Sequence, residues 1–528
     1  MAAYNRSNSP FGDREQARES ASDAFVPNPI CRLELQKEER IQSPCESEMT
    51  GNSSVVRQDL IRLSEPIRVS LSEAQYNPPE GANVSIKSVL ESLLPNKVTS
   101  SNLETTEEEI RREIRDFCLC CAALTSAQVE SGDLLSWIPR QLSAAAKATV
   151  EQLSRDYFRD LDENKLGRIR EIGVDFASVP DERKLVVELM PEVIPLLKGT
   201  IKESSIDATD DGDEIYAASA RTPVAYAIIA AYQFRWFVTQ VCGGLDDSLG
   251  YSWKVYWFSV VLCCSFFVFQ VDYPHLGKLC ALVIPCALTA LDHWSPEVKG
   301  QGMISIIHLV KNVNAAELGV YEDVILDLCC RNIAFGDEIW HLVVEMSVLL
   351  VTRTQRRNPR SPWFERMLNE MLSHLERQPR NKERSTAWLQ LIEPVLDDMG
   401  LVLLAHFRRI FPLLFQWMHS DDDELVLLVL QRIYTIIKLT WIRNTPYVER
   451  LVDELTVTYK EAALRRGREV IRTHIVQILI LLQQCKGLQF EEAWKKHRDD
   501  PNLTSLTAFL GLGITDPAAV KKCASISQ

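Results

Sequence analysis

Apolar positions recur at helical spacing along most of the chain, most clearly between Val283 and Cys330. An apolar segment runs to Leu291, a polar turn follows, and Pro296 stands where the next helix would open. From there Val298, Ile304, Ile306, Ile307, Leu309, Val310 and Val313 wrap one broad face. That face predicts a second helix of about 27 Å at 1.5 Å per residue. A third helix is expected from Asn314, where Asn-Ala-Ala-Glu has the outline of a capping box.

Two such antiparallel helices cannot bury their apolar faces alone and must stack on neighbours. The outline recurs, ungapped, 127 residues later. Ile284-Pro285 aligns with Phe411-Pro412, Leu291 with Met418, and the turn 293–297 with the acidic turn 420–424. Val298, Ile306, Leu309 and Val310 align with Leu425, Ile433, Ile436 and Ile437. A short turn bearing Asp and Pro, with a base early in the second helix, makes this a HEAT-type unit. Asp292 and Lys299 are the acid and base, placed where they could bridge within or between units.

The same period extends the array in both directions. Helices are expected from Ile86 to Pro95, from a Thr106-x-x-Glu109 capping box to Ala127, and from Asp133 to Asp160 with a bend near Pro139. Others cover Asp181–Lys202, with Pro191 and Pro195 inside, and Ile215–Cys242. Beyond Cys330 they cover Asp337–Thr354, Trp363–Arg377, Asn381–Asp398, Leu401–His419, Glu424–Arg443, Pro446–Arg466 and Glu469–Gln484. Residues 1–83, rich in Ser, Pro, Glu, Arg and Asn, hold too little apolar surface to offset the entropy of ordering and read as a disordered arm. Ser9-Pro10 and Ser43-Pro44 are candidate phosphorylation sites in that arm. An apolar patch from Leu503 to Leu512 either caps the array or hangs free.

Val255–Val271 is the most apolar run, and Leu279–Leu291 is a second uncharged one. Both sit at or below the short end of the transmembrane range, and both suit a central helix covered on all sides. A membrane hairpin over 255–291 is the competing reading. Glu203–Glu214 is an acidic loop, usually a solvated segment. Arg353, Arg356, Arg357, Arg360, Arg377, Arg380, Lys382 and Arg384 gather positive charge around two loops that one helix could bring together. They suit either a docking surface for acidic or phosphorylated segments or a set of helix-end cations.

Composition narrows the function. The 528 residues carry a formal charge of −14, which argues against a general nucleic-acid binder and fits an acidic protein that docks other proteins. The 14 cysteines do not look like a secreted disulfide framework: Cys118, Cys120, Cys121, Cys263, Cys264, Cys329 and Cys330 sit in or beside apolar runs, as buried free thiols do, and no Cys/His cluster has zinc-finger spacing. No phosphate loop, nucleophile elbow or metalloprotease helix is present, and the nine histidines are scattered singly. No catalytic residue, cofactor or metal is expected. The N-terminus has neither the apolar core of a secretory signal nor the composition of a transit peptide, so a cytoplasmic protein is expected, with the nucleus as a second compartment.

Leu291-Asp292, Trp294, Glu297, Lys299 and Gly302, then His308, Asn312-Val313 and Ala315-Ala316-Glu317-Leu318, carry a resemblance. They resemble the signature of the Tti-two family, the Tel-two-interacting protein two of the Triple T co-chaperone complex. The close likeness spans about 55 residues, with looser helical similarity to about residue 485. His293 stands where that pattern has a second acid. The resemblance implies a subunit that joins Tel-two-like and Tti-one-like solenoids. With the ninety-kilodalton heat-shock chaperone, that assembly supports the folding and stability of phosphatidylinositol-3-kinase-related kinases.

The chain is therefore read as all-α: a HEAT/ARM-like α-solenoid over residues 84–485, behind the arm at 1–83 and ahead of a short helix and tail at 486–528. It is expected to be a non-catalytic scaffold with protein partners, binding neither nucleic acid nor membrane. Trp294, Glu297, Lys299 and Asn312 are the candidate partner contacts, and Asp292 and Gly302 the structural signature. A generic HEAT/ARM adaptor for transport or ubiquitin pathways is the alternative.

Overall fold

A computed structural model describes residues 50–78, 84–96, 106–127, 134–159, 179–204, 223–241, 274–334, 337–356, 358–443 and 446–511. Its contacts separate Met1–Thr50 from Gly51–Gln528, and the helical stack belongs to the second unit. Among the described residues there is no strand.

Two rows of helices run through this unit. In one, α5 (Asp181–Glu203) packs on α7 (Pro274–Asp292), and the row continues through α10 (Glu322–Asn332), α12 (Pro362–Arg377), α15 (Phe407–Met418) and α17 (Tyr447–Glu461). The other begins at α3 (Glu107–Thr125) and passes through α6 (Val224–Val241), α8 (Pro296–Asn312) and α11 (Trp340–Thr354). It then continues through α13 (Lys382–Leu391) with α14 (Glu393–Met399), to α16 (Asp423–Thr440) and α18 (Arg468–Trp494). Each helix of the first row from α5 onward is followed in the chain by its partner in the second. Together they form an all-α solenoid of HEAT/ARM-like pairs. Two helices, α1 (Thr50–Glu73) and α2 (Ile86–Ser92), precede α3; α4 (Arg140–Arg159) packs between α3 and α5. One turn of helix, α9 (Ala315–Leu318), precedes α10, and α19 (Thr504–Gly511) covers α18.

Helices within a row run parallel, because equivalent ends meet. Asp292 at the end of α7 pairs with Arg331 at the end of α10, 3.8 Å apart. The Trp363 indole at the start of α12 donates to Asp323 at the start of α10. His419 after α15 reaches Glu454 and Glu461 of α17, both at 2.9 Å. Asp422 before α16 meets Lys382 of α13 at 3.0 Å, and Asp423 accepts the Gly467 N–H ahead of α18 at 2.8 Å. The turns after α7, α12, α15 and α17 therefore lie on one edge of the stack. Those after α8, α11, α14 and α16 lie on the other.

The repeat spacing read from the sequence is a core spacing. Ile284 and Phe411, Leu291 and Met418, Val298 and Leu425, Ile306 and Ile433, Leu309 and Ile436, and Val310 and Ile437 are all buried. Pro285 and Pro412 each lie inside their helix. Burying a side chain of this size stabilises by about 1.5–3 kcal/mol, and the stack depends on many such contacts.

Several boundaries differ from the expectation. Residues 50–73, read as part of the disordered arm, form α1, whose Leu60, Ser64, Ile67 and Leu71 are buried. Four buried side chains described in a helix of 24 residues make too sparse a stripe to stand out in a polar segment. Polar contacts hold it as well: Arg57 grips Glu113 of α3 through two hydrogen bonds of 3.1 and 3.0 Å, and Lys87 donates to the carbonyls of Ser72 and Ala74. The helix expected from Asp133 starts only at Arg140, after Pro139. Asn381–Asp398 divides at Ile392, and Leu401–His419 opens with a 3-10 turn, Gly400–His406. At the other end α18 crosses residue 485 and bends at Gly487. Thr106 and Glu109 form the expected capping box, whereas the Asn314 side chain accepts from the Ala316 N–H.

Val255–Val271, the acidic residues 205–214, Ile215 to 222, the arm to residue 49 and the tail from 512 lie outside the described residues. Leu279–Leu291 belongs to α7, which packs against α5, α8 and α10. Among the described residues no helix is long and apolar enough to cross a membrane. The patch at Leu503–Leu510 is buried as part of the cap over α18.

Candidate partner-docking site

The resemblance residues fold as one turn, the helix after it and the single turn of α9. Between Asp292 and Pro296 the chain has room for only His293, Trp294 and Ser295. His293 is fully buried; its Nδ1 accepts the Ser295 N–H at 3.0 Å, which leaves the ring proton on Nε2 to donate to Ser204 Oγ, also at 3.0 Å. Burial, reinforced by the charge of Lys299, pushes this imidazole down to about 4, so it is neutral across the physiological range. An acid at the same place would have to be buried charged or protonated, and the neutral ring avoids that cost. The Trp294 indole donates to the Ser204 carbonyl at 3.1 Å and stacks on His293 at 5.5 Å. Ser204 is the C-cap of α5, so this turn clasps the preceding unit. The rest of the Trp294 ring remains half-exposed.

Beneath the turn, Lys299 is only 3% exposed. Its ammonium donates to the Leu291 carbonyl at 2.8 Å and to Asn332 Oδ1 at 2.9 Å, tying α8 to the ends of α7 and α10. Burial lowers its pKa to about 8, against the pull of Asp292 and helped by Arg331. Asp292 faces outward to Arg331. Of the acid and base singled out in the sequence, the acid makes an exposed pair with the next unit, and the base donates inward to the Leu291 carbonyl and Asn332. Asn332 and Ser204 complete this arrangement and carry no signal in the sequence, being single polar residues at helix ends.

Gly302 sits where α8 crosses α7. A Cβ there would stand 2.9 Å from the Ala290 Cβ, 3.3 Å from the Leu291 nitrogen and 3.4 Å from the Ala287 oxygen. The close approach expected of this glycine is present.

The four candidate contacts do not form one patch. Trp294 and Glu297 share the turn, with Glu297 accepting from the Ser295 hydroxyl. Lys299 lies underneath, where it cannot reach a partner while the turn is closed. Asn312 donates to the His308 carbonyl at the far end of α8, about 25 Å away at 1.5 Å per residue.

The basic cluster is divided too. Helix α12 separates its two loops, placing Arg356 and Arg360 on one edge and Arg377, Arg380 and Lys382 on the other. Arg353 donates to the Val313 carbonyl, Lys382 pairs with Asp422, and Arg384 is buried over the Trp340 ring at 4.8 Å. Arg357 lies outside the described residues.

Cys118, Cys120, Cys121, Cys280, Cys286, Cys329 and Cys330 are buried, and burial raises each thiol. Cys118 and Cys121 stand at C-x-x-C spacing on α3, the spacing of many redox pairs. Their thiols are pushed away from the thiolate form, the opposite of what a redox pair needs. Cys263 and Cys264 lie outside the described residues.

Fold and site together define a class: a HEAT/ARM-like α-solenoid in which the turn after α7 clasps the unit before it. Within that class the chain belongs to one family with At2g39910, an uncharacterised protein of Arabidopsis thaliana. The two are 51% identical over 460 residues, covering 87% of this chain and 95% of the relative. No family model matches the chain. Solved structures with some likeness include an engineered protein (TM-score 0.38, 12% identity, 87% of this chain and 99% of that one). Importin beta gives a TM-score of 0.31 at 11% identity, over 89% of this chain and 78% of that one. Kap121p bound to RanGTP gives 0.32 at 11%, over 88% and 49%. At these scores the solenoid assignment rests on the contacts between helices.

Proposed function

We propose that the chain is a non-catalytic scaffold subunit of the Tti-two kind. In this reading it joins Tel-two-like and Tti-one-like solenoids and, with the ninety-kilodalton heat-shock chaperone, assists the maturation of phosphatidylinositol-3-kinase-related kinases in the cytoplasm and nucleus. One observation carries it. The residues of the resemblance, Leu291 to Leu318, occupy one consecutive stretch from the end of α7 to α9, in which Lys299 and Gly302 hold adjacent helices together and half of the Trp294 ring is left to solvent. Trp294 and Glu297 are the contacts this reading assigns to the partner; Asp292, Lys299 and Gly302 are supports.

The test is co-expression of the full chain with the Tti-one-like subunit of the same organism, followed by size exclusion. Co-elution as a stoichiometric complex is expected, weakened at least tenfold by Trp294→Ala in a variant that keeps its helical signal. Separate elution of two folded proteins would overturn the proposal and leave a solenoid adaptor of another pathway.

A further inference from the structure

The edge formed by the turns after α8, α11, α14 and α16 joins exposed apolar side chains to exposed cations. Large apolar side chains stand in solvent at three of these four turns: Val320 before α10, Leu401 at 49% exposure and Trp441 at 59%. Exposed cations alternate with them, Arg356 and Arg360 after α11 and Arg443 after α16. None of these three arginines forms an ion pair among the described residues, although the chain carries 72 acids against 58 bases. Elsewhere Arg57, Arg111, Arg115, Arg366 and Arg409 are held by carboxylates.

Trp441 is displayed by an unusual backbone. It ends α16 at φ 53°, and Ile442 follows at φ 43°, where glycine is normally required. Ile442 is buried and its N–H donates to Thr440 Oγ1, so the turn is pinned from below while the indole points out. Carboxylates at this edge include Glu317, Glu322 and Asp323 around the start of α10 and Glu449 in the first turn of α17; the Trp363 indole donates to Asp323, and Lys496 pairs with Glu449. Burial holds Asp397 and Asp398 above the usual carboxylate range, and Arg356 acts on Asp398; Glu365 lies within α12.

We propose that this edge docks an extended acidic segment of a protein partner, with carboxylates on Arg356, Arg360 and Arg443 and apolar side chains on Leu401 and Trp441. Packed helices lie about 8–10 Å apart and an extended chain rises about 3.3 Å per residue. Successive turns therefore meet residues about three apart. A segment of about ten residues, acidic at both ends with two apolar residues three apart in the middle, matches the edge. This rests on the scaffold reading alone: complex formation with a Tti-one-like subunit and segment binding are separate measurements, and either can fail without the other.

The test uses fluorescence anisotropy of the full chain with a fluorescein-labelled decapeptide of that pattern. Controls are a shuffled peptide with the apolar residues adjacent, one with Lys in place of each acid, and a single-stranded RNA of equal length. Saturable binding to the patterned peptide is expected, weakened by salt and at least tenfold by R356E/R360E/R443E. Trp441→Ala should weaken it similarly, while R377E/R380E on the opposite edge leaves it unchanged. All variants replace exposed side chains, and circular dichroism confirms that each is folded. Absence of binding, equal affinity of the triple variant, an equal loss from R377E/R380E, or preference for RNA or the Lys peptide would each overturn the proposal.

Discussion

Gly302→Leu is expected to cost about 3 kcal/mol, at the upper end of overpacking penalties. Even the Cβ meets Ala290 at 2.9 Å, and behind it lie the Leu291 nitrogen and the Ala287 oxygen, backbone atoms of α7 that cannot rotate aside. The helices would have to separate, and the buried contacts of Ile306, Leu309 and Val310 would loosen with them. Urea midpoints measure the effect. Ala290→Gly, which removes the nearest atom, should restore part of the loss to Gly302→Ala but little to Gly302→Leu. An unchanged midpoint in Gly302→Leu would show that α7 and α8 do not pack as described.

The second large effect concerns Lys299. Removing its acceptor with Asn332→Ala should cost about 3 kcal/mol, because a buried ammonium loses a hydrogen bond. Lys299→Met removes the charge and keeps the volume, and should cost less than about 1.5 kcal/mol. Losing the acceptor is thus worse than losing the lysine. The folded protein holds this proton to about 8, whereas an unfolded chain holds it to about 10.4. Between those values the unfolded state binds more protons, so this group makes stability rise as pH rises through the window. Urea midpoints at pH 7.5 and 9.5 should show that rise in the wild type against Lys299→Met. A Lys299→Met protein less stable than Asn332→Ala, or with the same pH response as the wild type, would contradict the burial of this charge.

Much of this architecture was legible because helical period and stacking are local facts. The 127-residue match between Val283–Val310 and its counterpart marks positions that are buried in both copies, and Gly302 stands where two backbones meet. What the sequence did not disclose depends on third partners. The spacing of Asp292 and Lys299 invites a bridge, but Arg331 and Asn332, more than thirty residues on, decide where each side chain goes. The loops bearing Arg356 and Arg380 look adjacent until α12 is placed between them as a spacer about 24 Å long. In α1 the inward residues are too few to show a stripe, and an ion pair to α3 supplies what the apolar face lacks. Trp441 gives no warning at all, because a left-handed turn built without glycine has no sequence mark.

The central claim, a scaffold subunit of the Triple T kind, meets its most direct test in affinity purification of the tagged full chain from its own cells, read by mass spectrometry. Recovery of Tel-two-like and Tti-one-like solenoids in near-equal amount, with kinases of the phosphatidylinositol-3-kinase-related class, is the predicted result. A purification dominated by transport or ubiquitin factors, with neither solenoid present, would contradict the claim and leave the helical stack in place.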